Sequence, residues 1–197
     1  MATMNGPRFK LCRSLGLNVC GHPKAMKRSK PGMGRADKKL STYGIQLLEK
    51  QRLRAYYGVL EKQFKRYIET AKKNRGQTGE TLVVLLETRL DNMVYRMGAA
   101  SSIRQARQMV VHGHVRLNAM KVDIPSHPVR VGDTISLSDK ANGMSVFTEN
   151  FDLSTLDAFP YIEKNTVTRS ATLIRAPERH EIPIAINDQL IVEFYSK

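Results

Sequence analysis

Arg104, Arg107, Gln108 and His112 have the types and the spacing to do chemistry on a polyanion. At helical pitch Arg104, Gln108 and His112 fall at i, i+4 and i+8, which puts them on one outward face with Arg107 beside them. A basic segment follows directly, carrying His114, Arg116 and Lys121. Guanidinium forks contact two phosphate oxygens together, while amide and imidazole groups add hydroxyl or base-edge contacts where RNA is irregular. Such a surface reads shape more than sequence. The plain alternative is a solvated helix face, but no Asp or Glu interrupts residues 92–122, which favours RNA.

Other groupings offer less. Cys12, Cys20 and His22 place three zinc-ligand candidates in one basic segment, yet a closed structural site needs four, and the spacing fits no common paired-cysteine knuckle. No glycine-rich phosphate loop leads into Lys and then Ser or Thr, and no nucleophile sits in a recognised elbow. His180 and Glu181 are neighbours, but adjacency along the chain supplies no general-base geometry. The reading is therefore a non-enzymatic protein without metal or cofactor.

Charge points the same way. Of 32 basic and 18 acidic residues, 19 and 5 fall in residues 1–80, so the first 80 residues hold all the net charge of +14. Each Lys or Arg that neutralises a phosphate releases a condensed counterion, so a basic region of this kind is the footprint of a nucleic-acid binder. An anionic membrane would attract it too, but no apolar run approaches the length of a membrane span and the basic region lacks a clean amphipathic helix. MATMNGPRFK has no apolar core for a secretory signal, so a reducing compartment and free thiols at Cys12 and Cys20 are expected.

The elements that must position these groups can be read in order. At 197 residues the chain is one large domain or two small ones. Residues 1–43 are rich in Gly, Pro, Lys and Arg, and KRSKPGMGRADKK reads either as an arm lying along phosphates or as a solvated tail. Leu53, Tyr57, Leu60, Phe64, Tyr67 and Ile68 recur at helical steps over residues 42–74, with a break at Gly58. After a turn at RGQTGE, Leu82, Leu85, Leu86, Leu90, Met93, Val94 and Met97 mark a second amphipathic helix ending at Gly98. Ser102 and Gln105 form a capping box for the helix that carries Arg104, and VRLN, KVDI and DTISLS alternate as short strands. Residues beyond Asp139 read as irregular, and LIVEFYSK reads as a terminal strand packed on the helices of residues 44–85.

The blocks RLDNMVYRMG, ARQMVVHGHVRLN and KVDIPS closely resemble the RNA-binding motif of bacterial-type small-ribosomal-subunit protein four. STYGIQLLEKQRLRAYYGVLEKQF and GETLVVLLETRLDN resemble the helical region before that motif in the same family, and INDQLIVEFYSK resembles its C-terminus. The resemblance implies a structural constituent of the small subunit, a primary binder of the 16S rRNA 5′ domain that acts early in assembly. It also implies a place where mRNA enters, contact with small-subunit ribosomal protein five, and a part in translational accuracy. Localisation on a cytoplasmic bacterial ribosome follows, with an organellar ribosome as the alternative. An RNA-modifying enzyme or a stand-alone stress or rescue factor carrying the same motif is the competing reading. The enzyme would need a separate catalytic domain, for which no stretch outside residues 82–138 is large and regular enough.

The expected fold is α+β. A basic arm (1–43) precedes a helical domain (44–85, completed by 139–197), and a small α/β RNA-binding module (86–138) is inserted in it. The candidate RNA contacts are Arg35, Lys38, Lys39, Tyr43, Lys50, Arg54, Arg89, Arg104, Arg107, Gln108, His112, His114, Arg116, Asn118 and Lys121. Asp91 and Asn92 match the motif but equally suit local structure. The chain departs from the family at four places. Ile103 stands where a basic residue commonly follows the cap, and Asn118-Ala119 replaces the usual Asn-Gly turn, so positive φ at both residues would carry strain. Cys12 matches one position of the zinc-binding form, but its partner position is Phe9 and the later cysteines are absent, which resembles a zinc-free member. Residues 139–175 fit the family weakly.

Overall fold

A computed structural model describes residues 6–29, 34, 39–153 and 159–196; Arg35 and Lys38 of the candidate contacts lie outside them. The chain divides into two compact units, residues 1–82 with 184–197, and residues 83–183.

The first unit is helical: α1 (Arg8–Leu15), α2 (Thr42–Tyr56), α3 (Glu61–Lys73), the start of α4 (Thr78–Glu87), and a last helix near the C-terminus. Ser41 caps α2 by accepting from the Gly44 N–H at 3.2 Å. The expected break falls at Gly58, whose φ of 61° lets the chain turn between α2 and α3. Leu53, Tyr57, Phe64 and Ile68 are buried, so the aromatic stripe serves packing. In the arm, α1 and the turns after it pack Cys12, Leu15, Val19 and Ala25 around Leu48 of α2. More of the arm is ordered than its composition suggests, and α2 supplies the apolar surface that the arm lacks.

The C-terminal segment is a correction. LIVEFYSK was expected as a strand, but residues Asp188–Phe194 form a helix, with Asn187 accepting from the N–H groups of Gln189 and Leu190. Its Val, Ile and Phe favour strands locally. Among the described residues this unit has no strand to pair with, so an extended segment would leave its backbone groups unsatisfied, whereas a helix satisfies them internally. The helix packs on α2, as the strand was expected to: Gln46 Nε2 donates to Glu193 Oε2 at 2.9 Å, and the Lys50 ammonium lies 4.5 Å from the centre of the Phe194 ring.

The second unit holds the rest of α4, α5 (Leu90–Arg96), α6 (Ile103–Val111), and strands β1 (Val115–Leu117), β2 (Met120–Lys121) and β3 (Thr134–Leu137). It continues with α7 (Asp139–Asn142), α8 (Ser145–Leu153), β4 (Ile162–Asn165) and β5 (Ser170–Leu173), which makes the helix at Asp188–Phe194 α9. The strands form one antiparallel sheet in the order β2-β1-β3-β5-β4, with Arg116 opposite Lys121 and Ile135 opposite Ala171. The described residues of 139–175, expected to be irregular, thus supply two helices and two strands, and residues 139–183 belong to this unit and not to the helical one. The signal was weak because these strands are short and half-polar. Their order comes from pairing β5 with the free edge of β3, where Thr134 and Thr172 hydroxyls meet at 3.0 Å.

A single amphipathic helix over residues 82–97 was also expected, and the structure breaks it. Arg89 is extended (φ −69°, ψ 141°) and bridges to Pro128, while the Leu90 N–H donates to His127 O at 2.9 Å and the Val129 N–H to Thr88 O at 2.8 Å. The segment 125–129 takes over hydrogen bonds that a continuous helix would have made within itself, and the apolar period carries across the break because Leu82, Val83 and Leu86 before it and Leu90, Met93, Val94 and Met97 after it are all buried.

Candidate nucleic-acid interface

Helix α6 sets the face. The Ser102 hydroxyl accepts from the Gln105 N–H at 3.3 Å, which is half of the expected capping box. The other half is displaced, since Gln105 Oε1 accepts from the Ser101 N–H and hydroxyl, each at 2.7 Å. Ala106, Met109 and Val110 are buried, and this fixes the opposite side: Arg104, Gln108 and His112 are all exposed. At the end of α6, Gly113 adopts a φ of 71°, and the Lys121 side chain lies across it, filling the space where a β-carbon would stand. Glycine there brings Lys121, from β2, to the same end of the module as His112.

His114 begins the turn into β1, its ring 6.2 Å from that of His112 and 5.4 Å from Phe147. Burial, and then the charges of His112 and Lys140, push its imidazole below the ordinary histidine range. At neutral pH it is a neutral donor and acceptor, suited to a hydroxyl or base edge more than to a phosphate.

Arg107 is placed differently from its neighbours. Its Nε and Nη2 donate to Asp91 Oδ2 at 2.9 and 2.7 Å, and its side chain is 15% exposed. Arg89, expected as an RNA contact, lies inside the module at 2% exposure, with Nε and Nη2 on the two Asp91 oxygens at 3.0 and 2.8 Å. Asp91 Oδ1 also accepts from the Asn92 N–H at 2.9 Å, and Asn92 Nδ2 donates to Glu87 O at 2.7 Å, which joins the end of α4 to α5. The Arg-Leu-Asp-Asn block is therefore a buried brace that holds α5 to α6. Asp91 and Asn92 serve local structure.

Sequence reading missed a second buried carboxylate in the same unit. Glu87 takes the Arg96 guanidinium through Nε and Nη2 and the Tyr161 hydroxyl at 2.8 Å. Arg96 also lies 4.7 Å from the centre of the Phe159 ring. A charged residue amid the apolar run LeuLeuGlu was a hint, but the partners lie 9 and 74 residues away and follow no period.

The hairpin residues divide in the same manner. Asn118 and Ala119 both take positive φ, 50° and 66°, so the two-residue turn keeps the geometry that glycine normally supplies, with Ala119 in the strained position. Asn118 Nδ2 donates to Asp133 Oδ1 at 2.7 Å and its Oδ1 accepts from the Thr134 N–H at 2.9 Å, fastening the turn to β3. Arg116 donates to Asp139 at 2.7 Å.

In the helical unit, Lys50 is 5% exposed, paired with Glu61 at 2.8 Å, and so does not face solvent as an RNA contact must. Arg54 pairs with the other Glu61 oxygen at 2.8 Å. Tyr43 is 56% exposed with its ring 5.5 Å from Phe194, and Lys39 is exposed.

A Ribosomal protein S4/S9 N-terminal domain matches residues 3–87 and an S4 domain matches residues 88–135. Over the full length of both chains, the sequence is 58% identical to small ribosomal subunit protein uS4 of Finegoldia magna. The chain belongs to the uS4 family. It is also 51% identical, again over the full length of both chains, to small ribosomal subunit protein uS4B of Clostridium acetobutylicum. The family expected from the motif blocks is thus the family found. The boundary between the two matched domains falls at Thr88, where α4 gives way to the extended Arg89. The S4 match ends at Ile135 within β3, while the sheet goes on through β5 and β4, so the folded unit is larger than the shared domain. Membership supports a structural role in the ribosome, and neither matched family is named for a catalyst.

Proposed function

We propose that this uS4-family chain binds 16S rRNA in the 5′ domain as a primary binder and organises that region early in assembly of the small subunit. One observation carries the proposal: Arg104, Gln108 and His112 stand exposed along α6, with Lys121 folded over Gly113 at its end. This is a cationic and hydrogen-bonding face whose own helix and hairpin carry no carboxylate. Arg104 and Lys121 neutralise phosphates, Gln108 and the two histidines read hydroxyls and base edges, and Arg107 sits at the margin with Asp91 matching its charge. Arg116 and Asn118 lie in the hairpin of the same module, and in the helical unit, taken by itself, Lys39, Tyr43 and Arg54 are further RNA contacts. Binding free energy is the mechanism: phosphate neutralisation holds RNA helices together at a junction, and later proteins add to the surface so formed. The protein acts on the cytoplasmic ribosome, meets small-subunit ribosomal protein five, and borders the path where mRNA enters.

A salt-titrated binding assay against a 5′-domain fragment, with an unrelated folded RNA of equal length as competitor, tests this. Preference for the fragment should survive competition, and Arg104→Ala should reduce the slope of log affinity against log salt by about 1. Equal binding to both RNAs would reduce the protein to a general basic RNA binder.

A further inference from the structure

Two thiols in the N-terminal cluster take no part in the RNA reading. Cys12, in α1, is fully buried, and Cys20, in the turns that follow, is partly exposed. Their sulfurs lie 3.4 Å apart, with the Cys12 S–H donating to Cys20. Gly16 turns the chain back with a φ of 62°, and the Leu17 N–H donates to Cys12 O at 3.3 Å. Asn18 then fastens the loop: its Oδ1 lies 3.6 Å from Cys20 Sγ and 4.0 Å from Cys12 Sγ, and its Nδ2 donates to His22 O at 3.1 Å. Two sulfurs held this close need approach by only about 1.3 Å to reach bonding distance.

A metal is the other chemistry two thiols invite. His22 Nδ1, however, accepts from the Lys24 N–H at 3.1 Å, its ring rests 4.9 Å from Phe9, and no group of three or more metal-ligand side chains occurs among the described residues. A pair of sulfurs alone falls short of a closed zinc site.

We propose that Cys12 and Cys20 are a redox modification site, a dithiol that a hydroperoxide converts to an intramolecular disulfide. Cys20, the accessible sulfur, reacts first: its thiolate attacks one peroxide oxygen, the O–O bond breaks, and a sulfenic acid and hydroxide form. Cys12 then attacks the Cys20 sulfur. The S–S bond forms as the S–O bond breaks, and the departing hydroxide takes the Cys12 proton as water. In sum, two thiols and one hydrogen peroxide give one disulfide and two waters, and a thiol reductant reverses the change by exchange. Burial holds the Cys12 thiol above its ordinary range, which keeps it protonated and unreactive until the sulfenic acid stands beside it. The link would tie α1 to the loop after it, whose Val19 shares a buried cluster with Leu15 of α1 and Leu48 of α2.

The test treats the reduced full-length protein with hydrogen peroxide under native conditions. The product should be two hydrogens lighter, should yield a linked Cys12–Cys20 peptide, and should return to the starting mass with dithiothreitol. In Cys12→Ser, Cys20 should accumulate as a sulfenic acid that dimedone traps. In Cys20→Ser, alkylation of Cys12 should slow on the order of tenfold relative to Cys20 in Cys12→Ser. Intermolecular disulfides, independent over-oxidation of each sulfur, or two unreacted thiols at a peroxide dose that links the urea-unfolded chain would each overturn the proposal. The wild-type peptide map decides the matter even if neither serine variant folds.

Discussion

Asp91→Asn should unbrace the RNA-binding module. The carboxylate is fully buried and accepts from Arg89, Arg107 and the Asn92 N–H, five donor contacts on two oxygens. Asparagine keeps the shape but removes the charge, and its amide presents hydrogens to guanidinium groups that need an acceptor. Arg107 can turn towards solvent from its 15% exposed position; Arg89, at 2%, cannot. Breaking a buried ion pair from one side costs about 3–5 kcal/mol, because a charge stays buried without its match. For a chain of this length that is a fall in Tm of roughly 6–20 °C. Thermal unfolding followed by far-UV circular dichroism measures it, and amide hydrogen exchange should show protection lost first in α5 and α6. The deficit should persist from 0.1 to 1 M salt (about 10 to about 3 Å Debye length), since a buried pair is poorly screened. A loss under about 1 kcal/mol, or one that salt removes, would show that Asp91 is no buried brace.

Three further outcomes follow from the same packing. Ala119→Gly should raise stability by about 0.5–1 kcal/mol, read as a higher urea midpoint at unchanged slope, since glycine relieves the φ of 66° at a smaller entropic cost; a lower midpoint would mean the turn is unstrained. At Glu61, burial pushes the carboxyl up, but hydrogen bonds from Lys50 and Tyr195 and the charges of Lys50 and Arg54 outweigh it and hold it below 4.5. Its stabilising contribution is therefore present above the unfolded value and lost as pH falls through the lower folded value. Glu61→Gln should flatten that limb of the stability curve, and an unchanged acid limb would remove Glu61 from the account. Tyr57→Ala empties a site that is 0% exposed beside the Tyr56 ring and should cost about 3–5 kcal/mol while leaving the salt slope of RNA binding unaltered; a changed slope would mean that Tyr57 meets RNA.

The helical stripe from Leu53 to Ile68, the break at Gly58, the outward row of Arg104, Gln108 and His112, and the family were all legible in the residues. Each of these is a local pattern, a period or a cap that neighbours along the chain suffice to specify. The rest depended on contacts between distant parts of the chain. Tertiary packing made residues 190–194, read as the start of a strand, part of α9, because α2 offered a helix surface and no strand edge, and it built β4 and β5 from a stretch without strong alternation, because β3 had an edge to fill. It also sorted the arginines. Arg89 and Arg104 read alike as cations in a basic motif, yet one is closed around Asp91 and the other faces solvent. Residue type fixes a charge, but whether that charge meets RNA or a buried carboxylate depends on which distant chain segment lies against it, and that is a property of packing alone.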